Sequence, residues 1–359
     1  MPSHRHHFVL LPPNRVWRTY QGGQMLDRIA GVTEPTDTNF PEDWIASTTR
    51  AVNIGREHLL EGVSPVEVGG TRLDFPALLA TDPEYFLGAA HIAKYGCDLR
   101  LLVKFLDSAI RLHFQVHPTA TFAREFLGSV SGKTEAYHVL STRPGEPRYI
   151  YLGFQRPPSR AALKRMIENQ DIAAIEACFD PVPVKPGDTY LVPGGVPHAL
   201  GEGVFLVEIQ EPSDLVVRFE FERGGFILPE PARFMNRSLD FCLDLFDFTP
   251  RPLDQVFADQ RCLPRRRETW SAQSWSETLI SPEQTPCFAV NKLIWGDRIV
   301  RNTAQPSIAI VTHGSLQIES AREIRTLQPY DKVFLPAGIG DVVFTPTPYA
   351  EMLECLPPA

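Results

Sequence analysis

Short runs of β-branched and aromatic residues, each cut off by proline or glycine within a few positions, leave this chain little room for long helices. LRLLVKFL, RLHFQVHP, EAYHVL, RYIYLGF, DTYLVP, VFLVEIQ and LVVRFEF follow one another between residues 99 and 221. Proline cannot donate to a strand ladder, so its 33 copies mark strand ends and turns. The pattern predicts a mainly β, antiparallel architecture, a sandwich or barrel. Two segments depart from it. Phe75 to Ala93 sets Phe75, Leu78, Leu79, Phe86 and Leu87 at roughly helical spacing. Ser159 to Phe179 reads as one helix, with Ser159 as its N-cap and Pro181 beyond its end.

An internal echo divides the chain. GDTYLVPGGVPH, residues 187–198, and YDKVFLPAGIGD, residues 330–341, both place Asp five residues before a Pro-x-Gly and end three residues after that Gly. Two copies of one β-turn-β unit predict two related β domains. The Arg-rich stretch 251–281 is expected as a solvated linker, between an N-terminal domain of residues 1–250 and a C-terminal one of residues 282–359. A length of 359 residues with 43% hydrophobic and 22% charged positions is enough for two cores.

The net charge of −8 argues against nucleic acid and anionic membranes as partners, both of which need a basic surface. Six cysteines without a CxxC pair read as reduced thiols. The N-terminal segment has only a four-residue apolar run, and no run is long enough for a bilayer span, so a cytoplasmic location is expected. His4, His6 and His7 read as a flexible terminus, not as a metal tail.

Chemistry concentrates in two distant segments. In a strand, residues i and i+2 share a face, so Gln115 and His117 project together while Phe114 and Val116 turn to an apolar layer. Glu135 opens another strand, and His198 follows a Pro/Gly turn that aims it inward. One amide oxygen, one carboxylate and two imidazoles suit a divalent transition metal with an open position, zinc first, iron or manganese next. Lys133 shares parity with Glu135 and points to the same place. Glu208, Asp214 and Arg218 can flank it, although an ordinary Asp214–Arg218 surface ion pair fits the spacing equally well. His113 shares the parity of Gln115 but lies farther along the strand, and His138 has the opposite parity to Glu135. Neither is assigned as a ligand.

Taken together, QVHP, GKTE, VPGGVPHALGEG, EIQ and SDLVVR resemble the type I mannose-6-phosphate isomerases, the phosphomannose isomerase branch of the cupins. PEDWIASTTRAVN and LLVKFLDSAIRLHFQVHP look like that family too. The resemblance implies two cupin-type β-barrel (jelly-roll) domains, with a few helices packed on the N-terminal, catalytic one, and a metal-free C-terminal one. It implies one zinc per chain at Gln115, His117, Glu135 and His198, with Arg218 beside the reacting sugar oxygens and Lys133 and Asp214 nearby. The implied reaction interconverts mannose 6-phosphate and fructose 6-phosphate through a cis-enediol. Glu208, Asp214, Lys133 and a zinc-bound water all stand as candidates for the base. Some relatives carry a histidine where Gly132 stands, Asp341 replaces the metal histidine in the second repeat, and no cationic loop marks a phosphate subsite. A non-catalytic sugar-binding or regulatory cupin, or an isomerase of an unphosphorylated sugar, is the alternative. The chain is expected as a monomer or small homo-oligomer.

Overall fold

Alternation along single strands decides how the layers stack. In the strand Val204–Gln210, Phe205, Val207 and Ile209 enter one apolar core, while Val204 and Leu206 enter another. A strand with two apolar faces must be covered on both sides. The computed structural model, which describes residues 4–359, does this with three antiparallel sheets. A seven-stranded sheet takes in Arg15–Val16, Glu42–Ile45, Leu102–Asp107, Val204–Gln210, Glu135–Thr142, Thr189–Val192 and Arg261–Cys262. A five-stranded sheet runs Val182–Pro183, Tyr149–Leu152, His198–Leu200, Gln115–Val116 and Val217–Arg218. Leu106, Tyr137, Val139 and Leu206 from the first meet Ile150, Leu152 and Leu200 from the second in one core.

The opposite face of the seven-stranded sheet carries Val103, Phe105, Phe205, Val207 and Ile209. These pack on Ile280, Val290, Ile308, Phe334 and Leu353 of an eleven-stranded sheet built mostly from the C-terminal part of the chain. That third sheet wraps its own core, in which Trp295 stacks on Trp270 at 4.8 Å and on Phe344 at 4.6 Å. The outer face of the five-stranded sheet is closed by helices through Phe114, Tyr151, Phe154, Leu163 and Phe179. Among the described residues no helix is long and apolar enough to cross a membrane.

The expected helices break where the local chemistry changes. Phe75 to Ala93 forms three short helices, Phe75–Leu79, Pro83–Leu87 and Ala89–Tyr95, because Pro83 restarts one and Gly88, with φ of 84°, separates the next. Ser159 does cap a helix by accepting the Ala162 N–H, but that helix stops at Asn169. Gln170 takes the left-handed conformation, and Asp171 caps a second helix, Ile172–Glu176.

Residues 251–281 hold ordered structure: helix Leu253–Asp259 and strands Arg261–Cys262, Arg265–Thr269 and Trp275–Ile280. Arg261–Cys262 pairs with Thr189–Val192 of the seven-stranded sheet, while the next two strands join the eleven-stranded one. The N-terminal segment is also anchored, contrary to its reading as a flexible end. Val9–Leu10 pairs with Lys332–Leu335, which brings residues 4–8 to the C-terminal sheet. His6 donates its backbone N–H to the Tyr85 hydroxyl at 2.7 Å, and its Nδ1 lies 3.0 Å from the Ile339 carbonyl.

One buried ion pair ties the segment before Gln115–Val116 to the segment after Val217–Arg218. Arg111 meets the Glu220 carboxylate with both terminal nitrogens, at 2.6 and 3.0 Å, and Glu220 also accepts the Phe114 N–H. Losing one partner of a buried pair leaves an uncompensated charge, at about 3–5 kcal/mol. Arg111→Met is therefore expected to lower the denaturant midpoint strongly, and Arg111→Met with Glu220→Gln to lower it less. Equal loss in both variants would show that the pair is not the cause.

Candidate metal centre

Four chain segments converge on the five-stranded sheet's inner face. Gln115 sits opposite His198 on one side and opposite Arg218 on the other. The next turn is held by main-chain bonds: the His117 carbonyl accepts the Gly195 N–H at 2.7 Å, and the Pro118 carbonyl accepts the Lys133 N–H at 3.0 Å. QVHP thus touches both of the other ligand-bearing segments directly. The close approach requires glycine. A Cβ on Gly132 would lie 2.4 Å from the Ala120 nitrogen, and one on Gly194 would lie 2.7 Å from the Pro118 carbonyl oxygen. A side chain at Gly132 would force the backbone of residues 118–120 to move.

His117, Glu135 and His198 are buried, and one donor atom from each lies within 4.8 Å of the others. His117 Nε2 is 3.2 Å from Glu135 Oε1, His198 Nε2 is 3.4 Å from Glu135 Oε2, and the Gln115 amide nitrogen, Nε2, is 3.3 Å from His198 Nε2. Both rings spend their Nδ1 protons elsewhere: His117 Nδ1 lies 2.9 Å from the Leu215 carbonyl and His198 Nδ1 2.9 Å from the Val196 carbonyl. The two Nε2 lone pairs are therefore left pointing inward, the outer-shell arrangement of metal-binding histidines. Among the described residues, Glu135 Oε1 has a single cation beside it, the Lys133 ammonium. Burial, reinforced by Lys133, keeps His117 neutral, down to about 3. Burial opposes ionisation of Glu135, yet Lys133 and His117 hold its carboxyl well below the usual range. Two imidazoles, a carboxylate and, with the Gln115 amide turned over about its terminal bond, an amide oxygen fit zinc. Lys133 enters the same space, its Nζ 2.9 Å from Glu135 Oε1 and 3.3 Å from His117 Nε2. Glu211 fixes that lysine's backbone by accepting the N–H groups of Gly132 and Thr134, at 3.1 and 2.9 Å.

Beside the cluster lies a narrow cleft of about 30 Å³, lined by Gln115, Lys133, Glu208, Arg218 and His113 among others. A charge network forms its wall. Arg18 grips Asp214 at 3.0 and 2.8 Å and Glu42 at 3.3 Å, while Lys104 lies 3.4 Å from Glu208 and 3.6 Å from Glu42. Burial would raise Glu42, but Arg18 and Lys104 hold it at about 2. Burial and the Glu135 charge push Glu208 up to about 8, against Lys104. A divalent cation on Glu135 would offset that repulsion and bring Glu208 back down. Burial and Arg18 lower Arg218 to about 10, still cationic at neutral pH.

The structure thus brings Gln115, His117, Glu135, His198, Lys133, Glu208 and Arg218 to one place. Asp214 is there too, but its partner is Arg18 and not Arg218, and it also accepts the Val52 N–H at 2.8 Å. His138 faces the other way and meets Thr189 Oγ1 at 2.9 Å. Asp341 is exposed and accepts from Asn302 at 2.9 Å, beside a C-terminal core filled with apolar side chains. Sequence reasoning missed Arg18, Glu42 and Lys104. The signal was present in LLVKFL, where a lysine interrupts an apolar strand and must meet buried acids.

Comparison with known proteins places this geometry. No family model matches the chain. The mannose-6-phosphate isomerase of Streptococcus mutans is 37% identical over 141 residues, 39% of this chain and 42% of that protein. The chain therefore spans less than half the length of this curated relative. Three-dimensional likeness extends much farther. The mannose 6-phosphate isomerase of Bacillus subtilis superposes with a TM-score of 0.72 over 97% of this chain and 99% of its own, at 21% identity. A mannose 6-phosphate isomerase crystallised with zinc and yttrium superposes with a TM-score of 0.67 over 98% of this chain and 99% of its own, at 15% identity. The fold is that of the phosphomannose isomerases, mainly β and cupin-like, in keeping with the resemblance seen in the sequence motifs.

If the cluster is a zinc site, His117→Ala and His198→Ala lose bound zinc after dialysis, whereas His138→Ala keeps it. Elemental analysis of the folded variants reads this directly. Full zinc content in either of the first two would remove that residue from the site.

Proposed function

We propose that this protein is a zinc-dependent aldose–ketose isomerase that interconverts mannose 6-phosphate and fructose 6-phosphate through a cis-enediol. The observation that carries the reading is the convergence of His117, Glu135 and His198 on one point, with Lys133 against it and Arg218 and Glu208 in the adjoining cleft. The likeness to mannose-6-phosphate isomerases in sequence and fold supports it. Bound at Gln115, His117, Glu135 and His198, zinc supplies Lewis-acid polarisation of a sugar oxygen.

The chain's own groups divide the remaining work. Arg218 spends one bond on the Ala232 carbonyl at 3.1 Å, which leaves further N–H donors for enediol oxygens or a phosphate. Lys133 adds a second cation on the metal side. Moving a proton between C1 and C2 calls for a carboxylate with free acceptor capacity. Asp214 is saturated by Arg18 and Val52, and Glu42 by Arg18, Lys104, Tyr20 and Trp44. Glu208 has one cation, Lys104 at 3.4 Å, so we assign it the proton transfer at its carboxylate oxygens. Asp214 then serves to hold Arg18 and the loop at Val52 in place.

The test is a coupled isomerase assay on metal-analysed protein, run with mannose 6-phosphate and free mannose side by side. Turnover of the phosphosugar, abolished by chelator and restored by zinc, is expected. Zinc binding without turnover of either sugar would favour a non-catalytic sugar-binding protein. Arg218→Ala and Glu208→Gln should keep zinc, and Glu208→Gln should lower kcat by about 10²–10⁴-fold. Wild-type rates in Glu208→Gln would exclude it as the proton carrier.

A further inference from the structure

One polar atom in the cleft has no partner and no part in the chemistry above. His113 is 2% exposed, and its ring lines the cleft with Gln115, Lys133, Glu208 and Arg218. Its Nδ1 lies 3.0 Å from the Glu220 carbonyl, an acceptor, so Nδ1 carries the ring proton. Nε2 is then a bare acceptor, and it is buried without a hydrogen bond. The Thr19 carbonyl also faces the ring, but an acceptor cannot satisfy a lone pair. Glu220 is itself locked by Arg111, so the carbonyl that fixes the ring belongs to one of the most firmly held residues near the site.

We infer that His113 Nε2 accepts a hydrogen bond from a hydroxyl group of the bound polyhydroxylated sugar phosphate, and so helps to set which sugar the cleft takes. The inference rests on the isomerase reading for the ligand's class, and on geometry alone for the contact. A buried acceptor with no donor among the described residues has one to gain when a sugar enters, and a sugar offers hydroxyls in abundance. A ligand lacking the matching hydroxyl would leave Nε2 unpaired and be rejected.

The experiment compares wild-type protein with His113→Asn and His113→Gln. Asparagine can keep the bond to the Glu220 carbonyl but does not reach the Nε2 position, whereas the Gln amide oxygen does. Each protein is zinc-loaded, melted without sugar, assayed with mannose 6-phosphate, and titrated with mannitol 1-phosphate, an open-chain polyol phosphate that cannot isomerise. His113→Asn is expected to keep zinc and melting temperature while losing about 10- to 100-fold in kcat/KM and in affinity for the polyol phosphate. His113→Gln should recover most of both. Unchanged kinetics and affinity in His113→Asn would overturn the contact, as would a lowered melting temperature that His113→Gln does not repair. If the wild-type protein turns over no sugar, the isomerase reading fails by itself. The titration still decides the contact: weaker binding in His113→Asn supports it, and equal or absent binding in both proteins overturns it.

Discussion

Glu135 is a carboxylate with no access to water, and the site is built on the need to compensate it. An isolated buried charge is too costly to keep, so the chain must bring positive or proton-donating groups to it. The Lys133 ammonium at 2.9 Å and the Tyr137 hydroxyl at 2.8 Å do so, while the two imidazoles turn Nε2 lone pairs toward it. Among the described residues one ammonium is the only cation beside the carboxylate, and the inward Nε2 lone pairs repel one another. A dication answers all of these deficits at once, which is why the cluster reads as a metal site and not as a structural ion pair.

The sheets supply the precision that such a site demands. Glu135 and Glu208 belong to the seven-stranded sheet, Gln115, His198 and Arg218 to the five-stranded one, and the donors meet where the two faces oppose. The seven-stranded sheet is in turn backed by the eleven-stranded one, through Phe105, Phe205, Val207 and Ile209. Buried Lys332 of the C-terminal part pairs with Asp43, next to Glu42, whose own side chain faces the cleft network. The eleven-stranded sheet behind the site fills its own core with Trp295, Phe344 and Met352. Rigid elements hold reactive groups to narrower tolerances than loops do.

Much of this could be seen in the sequence, for a definite reason. Strand parity is a period-two rule, so Gln115 with His117, and Lys133 with Glu135, fall on shared faces however the sheets twist. The duplicated unit, with Asp five residues before Pro-x-Gly, likewise marked both strand–turn–strand units, Thr189–Leu200 and Lys332–Leu356. What parity cannot give is the partner across the cleft. Asp214 with Arg18 and Glu208 with Lys104 join residues 196 and 104 positions apart, and only the fold brings them together. Local chemistry misled elsewhere for the opposite reason. Periodicity carried the helix past Gln170, where a left-handed residue and a new Asp cap intervene, and composition made an Arg-rich pairing segment look like a linker.

The most direct test of the account is crystallography of the zinc-loaded protein, with anomalous diffraction collected on both sides of the zinc absorption edge. One strong anomalous peak within bonding distance of His117 Nε2, His198 Nε2, Glu135 and the Gln115 amide oxygen is the expected result. Its absence there, or a peak only at the N-terminal histidines His4, His6 and His7, would contradict the account.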